Sequence, residues 1–121
     1  MYTGATRARQ GEPADLSIRV CRPVTGTGDV EYRFATTQEA EFAVRDTGYR
    51  TRWRWSDGRA FATPGPTVVV ERGKCVEWST RWTGLDAAGR PLAPGGYEVV
   101  AHLTHESPQG MVRVTAAFQV E

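Results

Sequence analysis

Apolar residues recur at every second position, in short runs, along most of this chain. Leu16, Ile18 and Val20 alternate with Ser17, Arg19 and Cys21, and Val30, Tyr32 and Phe34 alternate with Glu31, Arg33 and Ala35. The pattern returns at Ala40–Phe42–Val44, at Val68–Val70, at Val76–Trp78–Thr80–Trp82, at Tyr97–Val99–Ala101–Leu103 and at Val112–Val114–Ala116–Phe118. Only a strand puts residues i and i+2 on one face, so each run predicts a half-buried strand. Turn chemistry separates the runs: Pro23 to Gly28, Asp46-Thr47-Gly48, Arg72-Gly73-Lys74 and Ser107 to Gly110. About eight short strands spaced roughly ten residues apart, with no sustained helical period, predict an all-β sandwich.

The chain has 121 residues, of which 40% are hydrophobic. That is enough for one packed core and too little for two. Residues 1–14 lack periodicity and are expected to be a flexible N-terminal tail, leaving 15–121 as a single domain. Fifteen basic and 14 acidic side chains give a net charge of +1, with Lys74 as the only lysine. So even a balance argues against a nucleic-acid or membrane-surface partner. No run approaches a membrane-spanning length, and the start of the chain lacks the apolar segment of a secretory signal, so the chain reads as cytoplasmic. For a cytoplasmic chain, Cys21 and Cys75 are expected to be free thiols. The alternative is one disulfide closing a loop of about 55 residues.

Little here suggests catalysis. His102 and His105 fall on opposite faces if both lie on one strand, so they cannot share a metal there. No serine has a nucleophile-elbow context, and no helix is available to carry a phosphate loop. Neither a cofactor nor a metal is expected. Arg50, Arg52 and Arg54 alternate with Thr51, Trp53 and Trp55. The arginines are expected on a solvated face, paired across strands with Glu41, Glu71 or Glu77. The four tryptophans fall in phase on two strands and are expected to be the two halves of one core; exposed, they would instead form a sugar-stacking platform. Two loops are the candidate partner-binding elements. Residues 56–66 carry Arg59 and Phe61 ahead of two stiffening prolines, Pro64 and Pro66, and residues 85–94 carry Arg90 and Leu92.

Several motifs also resemble those of the intracellular proteinase inhibitor (BsuPI-type) domain family. They are Gln38, Phe42, Asp46 and Gly48; the run Trp53-Arg54-Trp55-Ser56-Asp57-Gly58 with Phe61 beyond it; the Arg72-Gly73 turn; and Trp82-Thr83-Gly84-Leu85-Asp86 with Gly89, leading to Pro94-Gly95-Gly96-Tyr97. The last run is also similar to the immunoglobulin-like domain of flagellar hook-capping proteins. Both resemblances imply an immunoglobulin-like antiparallel β-sandwich that is not an enzyme. The first implies a protein partner, with an intracellular serine protease as the candidate; the second implies a structural or adaptor module. Within that scaffold Asp86 is expected to hold its own turn, and Tyr97 to act as a tyrosine corner.

Overall fold

A computed structural model describes residues 7–25 and 28–121. Residues 1–6 of the expected tail, and positions 26–27 of the expected Pro23–Gly28 turn, lie outside the described residues. Among the described residues all regular structure is β. The strands are β1 (Arg7–Ala8), β2 (Ala14–Cys21), β3 (Val30–Arg33), β4 (Ala40–Asp46), β5 (Thr51–Arg54), β6 (Thr67–Val70), β7 (Cys75–Trp82), β8 (Gly95–Leu103) and β9 (Arg113–Val120). One sheet runs β1-β9-β8-β4-β5, and two further pairs are β2-β7 and β3-β6. All pairings are antiparallel except β1 with β9.

The alternation that predicts each strand also builds the core. Phe42 and Val44 of β4, Val99, Ala101 and Leu103 of β8, and Phe118 and Val120 of β9 face inward from the five-stranded sheet. They meet Leu16, Ile18 and Val20 of β2, Tyr32 and Phe34, Val70 of β6 and Trp82 of β7 in one apolar cluster. The in-phase tryptophans are part of it. Trp82 is 1% exposed, and its ring packs tilted against Trp53 at 6.0 Å and edge-to-face against Phe118 at 5.5 Å. Trp53, Trp55 and Trp78 pack against the same cluster, half-buried.

Three expectations give way. Part of the N-terminal segment is not a free tail: Arg7 and Ala8 pair with Gln119 and Val120, the Gln10 amide donates to the Glu121 carbonyl, and Ala14 already belongs to β2. A two-residue strand is too short for periodicity to register. The cysteines are not free thiols: Cys21 and Cys75 face each other at the end of the β2-β7 ladder and form a disulfide. Sequence separation carries no information about register, which is what brings the two sulfurs together. Finally, the arginine stripe is broken. A register shift between Val44 and Arg45 leaves Arg54 opposite Ala43 and Trp53 opposite Val44, but Thr51 opposite Arg45. Thr51 therefore leaves the face of Trp53, as a bulge demands. The expected pairs with Glu41, Glu71 and Glu77 do not form; Arg52 instead approaches Asp46 at 3.8 Å.

Candidate functional site

The strand ends that carry the two candidate loops lie side by side. The first loop leaves β5 through Trp55, whose amide donates to the Phe42 carbonyl and so extends the β4-β5 ladder. The Ser56 amide then donates to Glu41, and the Arg59 amide to the Ser56 carbonyl, closing a tight turn. Arg59 folds back. Its Nε donates to the Trp55 carbonyl at 2.8 Å, and its guanidinium lies 4.3 Å from the centroid of the Trp55 ring. Phe61 packs on the same indole at 5.6 Å. The return limb is stitched to residues 34–37. Thr37 and Ala62 exchange bonds, the Gly65 amide donates to the Ala35 carbonyl, and the Phe34 amide donates to the Pro66 carbonyl. A Cβ on Gly65 would be driven into the carbonyl oxygens of Thr36 and Phe34, so only glycine lets the loop run this close.

The second loop leaves β7 after Trp82. The indole Nε1 donates to the Leu85 carbonyl at 2.9 Å, which ties the loop to a core ring. Gly84 has φ +84, and a Cβ there would collide with the Glu12 carbonyl. Asp86 organises the turn as expected: its Oδ1 accepts from the Ala88 and Arg90 amides, each at 2.9 Å. Those amides, the Arg90 one foremost, hold its carboxyl below the ordinary carboxylate value against a smaller opposing effect of burial. The Ala87 amide donates to the Arg52 carbonyl, docking the second loop on the outer edge of β5. At the far end the Tyr97 hydroxyl donates to the Ala93 carbonyl at 2.7 Å, the geometry of a tyrosine corner.

Between the loops lies an open cleft of about 320 Å³. Its lining includes Trp53, Trp55, Asp57, Arg59, Asp86 and Gly89. Of the four residues singled out from sequence, Arg59 and Phe61 sit at this end, folded onto Trp55, and Arg90 is exposed on the Asp86 turn. Leu92 is a correction. At 1% exposure it belongs to the core rather than to the outer surface of the loop. Its loop looked like surface because glycines and prolines surround it, a pattern that marks the backbone and says nothing of one inward side chain. Sequence reasoning also missed Asp57 and Trp55 as lining residues. Trp82 is buried and the other three tryptophans are half-buried, with the Arg59 guanidinium over the Trp55 ring, so no ring stands fully exposed. His105 lies beyond the end of β8, edge-on to Tyr32 at 5.0 Å, while His102 stays on the outer face of that strand. Among the described residues no group of three or more His, Cys, Asp or Glu could hold a metal ion.

Residues 3–108 match the BsuPI family, described as intracellular proteinase inhibitor. The chain belongs to this family. The match takes in both loops and the cleft between them, together with every motif that carried the resemblance. The family's description names inhibition rather than a catalysed reaction. No curated protein matches it. Among solved structures, the BsuPI domain is similar to the crystal structure of FlgD from Xanthomonas campestris, described for its part in hook capping. The identity is 18%, over 88% of this chain and 67% of that one, at a TM-score of 0.36.

Proposed function

We propose that this domain is an immunoglobulin-like β-sandwich that binds a partner protein at the end where residues 56–66 and 84–94 meet, and that the partner is an intracellular serine protease. The observation that supports this most is preorganisation. Both loops are bonded at their roots and along their lengths, and they flank one cleft with an aromatic floor and charged rims. A loop already ordered before binding loses little entropy when it docks. The family description supports the protease as partner. Arg59 and Phe61 act by holding the loop on Trp55, so that the exposed turn at Asp57 and Gly58 and the Arg90 turn make the first contacts. In the cytoplasm, where this reading puts the chain, the exposed Cys21–Cys75 bond is under reducing conditions. The eight registered pairs of β2 and β7 then hold that ladder without it.

The test is inhibition of a purified intracellular serine protease from the source organism, with wild-type domain and an Arg59→Ala/Phe61→Ala double variant. Freeing two side chains that order the loop costs about 0.5–1.5 kcal/mol each. The expected result is inhibition near equimolar domain, weakened about tenfold or more in the double variant. Unchanged protease activity at a large excess of folded domain sinks the protease reading and leaves an adaptor role in its place.

A further inference from the structure

The five-stranded sheet has a second face, turned away from the core. Its side chains form three rows across the strands. Glu41, His102 and Arg113 make one row; Arg54, Ala43, Val100 and Thr115 make the next; Thr51, Arg45, Glu98 and Ala117 make the third. Past Arg54 the middle row is small or apolar, and it lies in a groove of about 250 Å³. Ala43 and Val100 floor it, and Met111, 74% exposed, stands at its rim. Val100 is itself only 8% exposed but is not part of the core cluster.

The charges on this face are unevenly used. Arg45 is committed to Glu98 through a 2.6 Å hydrogen bond from its Nε. Glu41 accepts from the Gln38 side chain and from the Phe42 and Ser56 amides. Both carboxylates are therefore occupied within the domain. The side chains of Arg54 and Arg113 are exposed and make no ion pair or hydrogen bond among the described residues. They stand on the first and last of four adjacent strands, about 14 Å apart across the strands and offset by two residues, about 7 Å, along them. His102 between them is half-buried and offers no opposite charge.

We infer that this outer face is a docking surface for an acidic, extended segment of a partner protein. Two guanidiniums flank an apolar floor, and two carboxylates flanking an apolar side chain would complement them. In an extended chain four residues span about 14 Å, and the reach of the two long arginine side chains takes up the remaining offset. The segment therefore carries acidic residues four apart with an apolar residue midway, lying across the strands. Arginine suits this role because its planar fork grips a carboxylate with two bonds. Arg54 also lines the cleft between the loops, so Arg113, which lies outside it with Val100 and Thr115, is the residue that separates this inference from the loop reading.

The experiment uses a twelve-residue peptide of three Glu-Ser-Leu-Ser repeats, titrated into the isotopically labelled domain and followed by amide chemical shifts. The expected shifts cluster at Ala43, Val100, Arg113 and Thr115, and affinity falls about tenfold or more between low and high salt. Arg54→Glu and Arg113→Glu, separately, each weaken binding at least tenfold, whereas Arg81→Glu on β7 does not. The unperturbed remainder of each variant's spectrum shows that the fold is kept. Equal binding of a Gln-Ser-Leu-Ser peptide, shifts centred elsewhere, an Arg113→Glu variant that binds as wild type, or tighter binding of a twelve-nucleotide DNA strand would each overturn the proposal.

Discussion

Trp82 connects more of the structure than any motif count suggests. Its ring fills the core between Trp53 and Phe118 while its one polar atom reaches out to the Leu85 carbonyl. Removing the ring leaves a cavity and releases the second loop at once. Trp82→Ala should cost about 3–5 kcal/mol, read by urea denaturation. Asp86 works at the same scale by a different means. Asp86→Ala should leave global stability nearly unchanged but remove exchange protection from the Ala88 and Arg90 amides, since its carboxylate is their acceptor. His102 gives the domain a pH dependence. Burial foremost, with the Arg113 and Arg54 charges, holds its pKa below 6.5 despite the opposing pull of Glu41. As pH falls below that value the unfolded chain takes up a proton that the folded one resists, so stability declines until the folded imidazole also protonates. Denaturation at pH 7.5 and pH 5 should show this loss, and His102→Gln should reduce it.

At the scale of strands, period-2 alternation located eight of the nine, because every one of those eight buries one face and leaves the other wet or lightly covered. It failed where that condition failed. Arg7–Ala8 is too short to alternate, and at Val44–Arg45 an extra residue switches the phase so that Thr51 parts from Trp53. The Asp86 turn and the Tyr97 corner were legible because each is local chemistry, a side chain bonding backbone two to four residues away. The β2-β7 disulfide was not legible, since it depends on register between strands 54 positions apart. Chain-entropy arguments put the most it can add at about 4 kcal/mol. A Cys21→Ser/Cys75→Ser variant should therefore melt earlier yet keep the wild-type β circular dichroism, because the ladder and the core beneath it remain. Loss of that signal at room temperature would show that the bond, rather than the ladder, holds β2 in place.

For the whole molecule, sequence order says little about which ends meet. The two loops are separated in the chain by β6 and β7 and leave strands of different sheets, and tertiary packing, with the Ala87 amide on the Arg52 carbonyl and Trp82 against Trp53, sets them beside each other at the edge of β5. Arg59 and Phe61 were recognisable as loop residues with distinctive side chains. That both would fold onto Trp55, and that Leu92 would turn inward, depends on tertiary packing that no local pattern encodes. The resulting end is a two-loop cleft on a β scaffold of the BsuPI family, and it is the surface on which the proposed partner is expected to dock. The most direct test is a titration of an intracellular serine protease from the source organism with this domain, with activity followed against domain concentration. The account predicts stoichiometric loss of activity by the wild type, with the inhibition constant raised tenfold or more by Arg59→Ala/Phe61→Ala. Full protease activity at a large excess of folded wild-type domain, or equal inhibition by the double variant, would contradict it.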